Sequence, residues 1–268
     1  MTAFPDPTWL VGCGNMAGAM VEGWRAAGID LSGVTAIRPS GTPVEGVRTV
    51  RELPDGNEPR FVMLGFKPQK LDEVAPGLTP RLGEATVVVS LLAGVEAATL
   101  RERFPNVRAI VRAMPNLPVA QRRGVTALFS VDDAEALASV EALIALLGFA
   151  PIVSDEAQFS AIGAVAGSGP AYVARFVDAL ASGGERLGLS PVLAARVALE
   201  TIVGTAAMAE ASGLPTAELA RRVASPKGTT EAGLAVLDAP DGIRPLIDRM
   251  LAAAIKRGRE LAAAARRG

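Results

Sequence analysis

Short apolar runs alternate with helical patterns through the first half of the chain. Residues 9–11, 34–37, 61–66, 86–91 and 109–111 form these runs, and residues 16–27 have helical spacing. Buried strands that alternate with helical crossovers are typical of a mainly parallel sheet with helices on both faces. We therefore expect a doubly wound α/β domain in this half.

The pattern changes after residue 153. From Glu156 onward the chain has Ala- and Leu-rich segments at helical spacing, interrupted by turns that contain Gly and Pro. No strand-like alternation occurs there. We predict two domains, residues 1–153 with the sheet and residues 154–268 with helices only.

Composition excludes several classes of function. The 268 residues have a formal net charge of −1, which gives no electrostatic basis for binding nucleic acid. The chain has one cysteine and no histidine, so an internal disulfide, a His-metal site and a histidine-based triad are all excluded. Acid–base chemistry must therefore use hydroxyls, lysines, carboxylates or water.

The N-terminus shows no secretory signal pattern, and the longest uncharged stretch, residues 157–174, is broken by glycines and a proline. We expect a soluble cytoplasmic protein with no membrane, nucleic-acid or metal partner.

A glycine-rich turn follows the first apolar run and opens the first predicted helix. Gly12 permits a tight turn, Gly14 lets the backbone approach a pyrophosphate, and Ala17 lets helix and strand pack closely. The helix N-terminus would then face the phosphates of a dinucleotide. This context predicts a dinucleotide-binding domain of the Rossmann type, with Asn15 and Met16 completing the turn.

Arg38 and Ser40 follow the second apolar run, where NAD enzymes usually place a carboxylate for the ribose hydroxyls. A guanidinium and a hydroxyl suit a 2′-phosphate instead. We therefore predict NADPH as the cofactor, with NADH as an alternative. Lys67 and Pro68 end another apolar run and are expected at the same edge of the sheet.

Three further segments concentrate Gly, Pro and hydroxyl residues, as ligand-approaching loops do. They are residues 112–118 (RAMPNLP), 167–172 (GSGPAY) and 225–230 (SPKGTT). With the Gly12 turn, Lys67-Pro68 and Ala93-Gly94, these segments make the chain resemble the pyrroline-5-carboxylate reductase family over nearly its whole length.

The resemblance implies a Rossmann domain joined to a helical dimerisation domain, a homodimer with the active site at its interface, and in many members a ring of dimers. It implies reduction of Δ1-pyrroline-5-carboxylate to L-proline by hydride transfer from NADPH. The motifs, the residues after the second apolar run and the resemblance together predict these cofactor-binding residues: Gly12, Gly14, Asn15, Met16, Ala17, Arg38, Ser40, Lys67, Pro68, Ala93, Gly94 and Asn116. The implied substrate-binding residues are Ser225, Gly228, Thr229 and Thr230.

In this resemblance the substrate carboxylate lies against the backbone N–H groups of Gly228, Thr229 and Thr230. Thr230 is the implied catalytic residue, because it matches the family hydroxyl that is proposed to hydrogen-bond or protonate the ring nitrogen. We expect it mainly to orient the substrate, with the proton from a protonated iminium or from water, because a Thr hydroxyl is a poor acid. Two residues depart from the family pattern. Leu117 replaces a common Thr and Lys227 a frequent Gly, so fine substrate preference stays open.

Three alternatives remain at this stage. The chain could reduce another cyclic imine, such as a six-membered one, or it could be a catalytically idle NADP-binding regulatory protein. The third alternative is an α/β domain with a structural helical bundle and no ligand. Residues 112–116 and the Gly228-Thr229-Thr230 turn are both present, which argues against the idle protein because a binding module needs only the N-terminal domain. The joint occurrence of the motifs argues against the third alternative.

Overall fold

The computed structural model describes residues 3–265. Its strands are β1 (Thr8–Val11), β2 (Val34–Ile37), β3 (Arg48–Val50), β4 (Phe61–Leu64), β5 (Val87–Ser90), β6 (Ala109–Pro115), β7 (Gly124–Phe129) and β8 (Gly148–Phe149). They form one sheet in the order β3-β2-β1-β4-β5-β6-β7-β8. Neighbouring strands are parallel except β6 and β7. The first six positions follow the doubly wound dinucleotide-binding order, which confirms the predicted fold class.

Helices cover the sheet and make up the rest of the chain. They are α1 (Asn15–Ala26), α2 (Leu71–Leu78), α3 (Ala97–Arg103), α4 (Ala134–Ile144), α5 (Glu156–Ile162), α6 (Gly169–Arg186), α7 (Pro191–Ser212), α8 (Thr216–Val223), α9 (Thr229–Leu237) and α10 (Ile243–Ala265). A π-helical turn, Gly163–Gly167, lies between α5 and α6. Within the described chain no strand follows β8, so the C-terminal part is helical as predicted.

The chain divides into two compact units. The first contains the chain up to Ser168 together with the end of α10 from Ala254, and the second is Gly169–Ala253. The functional boundary expected between residues 153 and 154 stays a prediction. Residues 1–2 and 266–268 of the predicted domains lie outside the described residues.

The core of the first unit lies on both faces of the sheet. Leu10 of β1 packs into one apolar cluster with Met20 and Trp24 of α1. Trp9 and Val11, its neighbours on the strand, pack into the cluster on the opposite face. Because successive side chains of a strand point to opposite faces, a strand buried on both faces is apolar throughout.

Three strands were not predicted, and one predicted segment is corrected. β3, β7 and β8 are absent from the predicted list. The segment that begins at Arg112 was interpreted as a loop, yet residues 112–115 belong to β6. Antiparallel pairing with β7 keeps them in the sheet, with Arg112 opposite Phe129 and Pro115 opposite Thr126.

The second unit has a small core of its own. Among its residues, all of which are described, the buried apolar side chains are Ala181, Ala194, Ala198 and Leu219. Helices α6 and α7 pack closely at Gly184, where an added Cβ would lie 3.5 Å from the Cβ of Ala194. Most of the apolar surface of these helices is therefore uncovered in a single chain.

Helix α7 is long and apolar enough to span a membrane, by length and composition alone. Its mean hydropathy is 1.5, and 11% of the apolar window is buried. No membrane span was predicted at α7, because its sequence contains Arg196 and Glu200, which form an ion pair.

Candidate functional site

The predicted cofactor residues follow the carboxyl ends of adjacent parallel strands. Gly12 follows β1, Arg38 follows β2, Lys67 lies beyond β4 and Ala93 lies beyond β5. The strand order reverses between β1 and β4, and ligands bind in the crevice outside such a switch point. The structure thus brings these segments to one edge of the sheet, at the position expected for a dinucleotide.

Gly12 is required by the fold itself. Its φ of +79° lies in the left-handed region, and an added Cβ would lie 2.8 Å from Phe66 N and 2.9 Å from Phe66 Cβ. Its own N–H donates to the carbonyl of Ile37 at 2.9 Å. These contacts fix the turn against the segment that follows β4.

Gly14 differs, because no protein atom lies within 4 Å of the position of an added Cβ. It is the N-cap of α1 with a φ of −81°, which any residue adopts, and no side chain caps the helix. The N–H groups of Asn15, Met16 and Ala17 lie in the first turn, where helices leave backbone donors unpaired. An open space before uncapped N–H groups fits the pyrophosphate of a dinucleotide.

A cavity of about 390 Å³ adjoins this turn. Its lining residues are Cys13, Gly14, Asn15, Gly18, Val21, Glu22, Arg25, Arg38, Pro43, Val44 and Glu45. Arg38 is therefore at the predicted site, and the exposed Ser40 lies close by in sequence. Arg25 and residues 43–45 were not predicted at this site, because no glycine-rich or hydroxyl-rich pattern marks them.

Cys13 lines the same cavity but is itself 4% exposed. Burial raises the pKa of its thiol, and the charge of Arg38 opposes this increase. The side chain is therefore a neutral, apolar part of the cavity wall at neutral pH.

The next two predicted segments also form turns at this edge. Lys67 is exposed and precedes a short 3-10 helix that begins at Pro68. Beyond β5, Val95 N–H donates to the Leu92 carbonyl at 3.3 Å, closing a turn around Ala93 and Gly94. Gly94 has a φ of +76° at the third position, as type II turns require.

Asn116 is buried and uses its side-chain amide on the protein's own backbone. Its Nδ2 donates to the carbonyl of Ala166 in the π-helical turn at 2.9 Å. Its Oδ1 accepts from the N–H of Val125 at 2.8 Å. Asn116 thus connects the end of β6 to β7 and to the segment before α6, and its predicted cofactor contact stays a prediction.

Arg112 is almost completely buried and pairs with Glu156 at the start of α5. Its guanidinium carbon lies 4.2 Å from the ring centroid of Phe159. Burial lowers the pKa of Arg112, while the charge of Glu156 opposes the decrease. Glu156 also accepts the N–H of Ala97 at 3.2 Å. These contacts give Arg112 a structural role that joins β6, α3 and α5.

In the second unit, the segment from Ser225 to Thr230 forms a turn into α9. The N–H of Gly228 donates to the Ser225 carbonyl at 3.0 Å, and a Cβ on Gly228 would collide with Ser225 Oγ. The Gly228 N–H is therefore used within the turn, whereas a contact with a carboxylate was expected of it. In the described structure the N–H groups of Thr229, Thr230 and Glu231 have no hydrogen-bond acceptor.

Thr230 is exposed in the first turn of α9, and its hydroxyl forms no hydrogen bond with the described residues. Other helical threonines differ, since Thr205 Oγ1 donates to the Thr201 carbonyl at 2.7 Å. The hydroxyl of Thr230 is thus available to a ligand. Its predicted catalytic role and the other predicted site assignments stay predictions.

Lys227 has a φ of +60°, which is uncommon for a residue with a side chain. Its N–H donates to Glu231 Oε2 at 2.6 Å. Glycine would suit this position because it adopts a positive φ without steric strain.

Comparison with known proteins gives consistent results. Residues 156–261 match the family model described as "Pyrroline-5-carboxylate reductase dimerisation". The chain is 36% identical over 262 residues to the pyrroline-5-carboxylate reductase of Pseudomonas aeruginosa, covering 94% of this chain and 96% of that protein. It is 38% identical over 218 residues to the Synechocystis enzyme, covering 79% and 80%.

The solved structure of the Coxiella burnetii pyrroline-5-carboxylate reductase superposes with a TM-score of 0.88 at 32% identity, covering 96% of this chain and 98% of that one. A Plasmodium falciparum pyrroline carboxylate reductase with NADP bound shares the fold, with a TM-score of 0.82 at 23% identity over 97% and 99% of the two chains. The Pseudomonas and Coxiella relatives are more than 30% identical to the chain and are matched over 96% and 98% of their lengths. The chain therefore belongs to the pyrroline-5-carboxylate reductase family.

Proposed function

We propose that the chain reduces Δ1-pyrroline-5-carboxylate to L-proline, the last step of proline biosynthesis, with NADPH as the reductant. The observation that carries this proposal is the uncapped first turn of α1 beside the open space at Gly14. Membership of the family supplies the reaction. The proposal also includes a homodimer, a ring of dimers, a cytoplasmic location and no metal.

When bound, NADPH supplies a hydride to the C=N carbon of the imine, and one proton at the ring nitrogen completes the amine. In this proposal the N–H groups of Asn15, Met16 and Ala17 hold the pyrophosphate. Arg38 and Ser40 bind the 2′-phosphate, because the fork of guanidinium donors matches phosphate oxygens.

The substrate carboxylate is proposed to bind the turn that leads into α9. The free N–H groups of Thr229 and Thr230 lie at a helix N-terminus, where the helix dipole favours an anion. Ser225 and Gly228 hold the shape of this turn. The Thr230 hydroxyl donates to or orients the ring nitrogen, and the proton comes from solvent or from an imine that is already protonated.

The proposal is tested by measuring NADPH oxidation by the purified protein with Δ1-pyrroline-5-carboxylate and with its six-membered homologue. The same assays are run in parallel with NADH. Turnover confined to the five-membered imine is expected. Turnover of only the homologue would assign a related imine reductase. Tight NADPH binding without turnover of either imine would indicate an idle binding protein.

Thr230→Val tests the role of the hydroxyl. We expect a decrease in kcat of about tenfold or more, because an orienting hydrogen bond is lost while the side-chain shape is kept. Thr205→Val is the matched control, since that hydroxyl is already bonded to the backbone. Full turnover and an unchanged KM in Thr230→Val would contradict the assignment.

A further inference from the structure

Two arginines follow the carboxyl ends of the neighbouring strands β2 and β3, at the edge of the sheet where the cofactor is expected. β2 and β3 are parallel, with Ile37 opposite Val50. The pairing continues one step further, because the N–H of Arg38 donates to the Val50 carbonyl at 2.8 Å. The next residue of β3 is Arg51, so Arg38 and Arg51 start from adjacent strands, which are spaced about 5 Å apart.

The side chain of Arg51 lies on the turn that follows Arg38. An added Cβ on Gly41 would lie 2.7 Å from Arg51 Nε and 3.0 Å from its Nη2. The turn is closed by the N–H of Gly41, which donates to the Arg38 carbonyl at 2.8 Å. The guanidinium of Arg51 therefore packs against the backbone beside Ser40.

Two hydroxyls flank this contact. Ser40 Oγ and Thr42 Oγ1 are 2.9 Å apart, and Ser40 Oγ also accepts the N–H of Thr42 at 3.2 Å. Both residues are exposed. The turn thus presents hydroxyl groups on either side of the glycine that Arg51 covers.

The charges of Arg38 and Arg51 are not neutralised by the described part of the chain, in which neither side chain forms an ion pair. Arg25, which lines the same cavity, pairs with Glu45 at 2.6 Å. Two arginines that extend from adjacent strand ends without a carboxylate partner favour a multiply charged anion, and a phosphate monoester matches the donor geometry of a guanidinium group.

We propose that Arg51 is a second arginine of the 2′-phosphate site and a determinant of the preference for NADPH over NADH. The inference rests on the proposed cofactor. Arg51 binds the same phosphate as Arg38, with the Ser40 and Thr42 hydroxyls as further donors. The 2′-hydroxyl of NADH carries no charge, so its binding gains little from Arg51.

Calorimetric titration of the purified full-length protein with 2′,5′-ADP and with 5′-ADP tests the proposal without turnover. Arg51→Gln is expected to weaken 2′,5′-ADP binding about tenfold and to leave 5′-ADP within about twofold. Arg48→Gln is the matched control, because Arg48 is equally exposed but begins β3 at the opposite edge of the sheet. It should change neither affinity.

Steady-state kinetics supply a second measurement. Arg51→Gln should raise KM for NADPH and leave KM for NADH and both kcat values unchanged. Equal weakening of both nucleotides, or wild-type affinity for 2′,5′-ADP, would overturn the proposal. If Arg51→Gln selectively loses affinity for 2′,5′-ADP but the protein reduces no imine, the role of Arg51 in 2′-phosphate binding would be supported and the proposed reaction would be rejected.

Discussion

Two glycines of the same turn are required for different physical reasons. The protein's own backbone and the Phe66 side chain occupy the space around Gly12, and its φ is positive. The space around Gly14 holds no protein atom, and its φ is ordinary. The first glycine therefore serves the fold, whereas the second leaves room for a ligand.

This difference predicts opposite outcomes for two alanine substitutions. Gly12→Ala should lower the free energy of unfolding by about 2–4 kcal/mol, because strain at positive φ adds to overpacking. Gly14→Ala should change it by less than about 1 kcal/mol and weaken NADPH binding about tenfold or more. Chemical denaturation and NADPH titration measure the two effects. Equal NADPH affinity in Gly14→Ala and wild type would refute the ligand role of Gly14.

Lys227 gives a second prediction at the residue scale. Lys227→Gly should raise the free energy of unfolding by about 0.5 kcal/mol, because relief at positive φ exceeds the added chain entropy of glycine. Lys227→Ala keeps a Cβ and should give no such gain. Denaturation at a fixed protein concentration compares the two variants, and an equal gain in both would show that the side chain, not the backbone, is responsible.

At the level of elements, the ion pair between Arg112 and Glu156 holds three segments together. Arg112 is 7% exposed in its side chain, whereas Glu156 is 36% exposed. Removing the carboxylate charge leaves a buried guanidinium without its partner. Such a loss lowers the free energy of unfolding, because the desolvation of the buried charge is no longer compensated by an ion pair.

Glu156→Gln should therefore lower the free energy of unfolding by about 2 kcal/mol, less than for a fully buried pair. Glu135→Gln is the control, because Glu135 pairs with Arg108 at the surface and is 83% exposed. Glu135→Gln should lower the free energy of unfolding by less than about 1 kcal/mol. Similar losses in both variants would show that burial of Arg112 does not determine the cost.

The sequence predicted those strands that are apolar along their length. Four strands, β1, β2, β4 and β5, are buried on both faces. Their apolar runs are therefore visible in the sequence. β3 has only three residues, Arg48–Val50, and is half-exposed, so its apolar pattern is weak. β7 was missed although it is mainly apolar and buried, because residues 112–118 were interpreted as a loop and left it without its antiparallel neighbour β6.

The candidate site was predictable where one local motif defines it. The Gly12–Ala17 turn needs only a strand, a turn and a helix in succession. Arg51 was missed because its position depends on the register between β2 and β3. Asn116 resembles a ligand-binding residue in the sequence, yet its amide satisfies backbone groups that only the folded structure brings together.

At the scale of the whole molecule, the second unit buries few apolar side chains, and three of the four that it buries are alanines. Many large apolar side chains of α6 and α7 are exposed, among them Phe176, Val197 and Val203. Exposed apolar patches of this kind mark protein–protein interfaces. Both helices lie within residues 156–261, which match the dimerisation family model. We therefore propose that this surface pairs with a second copy of the chain.

Val203→Glu should therefore shift the protein from dimer to monomer and lower its Tm by several degrees. Val131→Glu is the control, because Val131 is exposed on the first unit and the chemical change is the same. Analytical ultracentrifugation and thermal unfolding measure both effects. An intact dimer with an unchanged Tm in Val203→Glu would contradict the assignment of α7 to the interface.

The sparse core of the second unit has a consequence for the cell. In the proposed dimer, association contributes to folding, so the folded fraction of the chain should depend on its own concentration. At low expression, newly made chains would spend longer with α7 exposed to proteases and chaperones. The amount of functional enzyme should therefore rise more steeply than gene dosage at low expression and in proportion to it once dimerisation is complete.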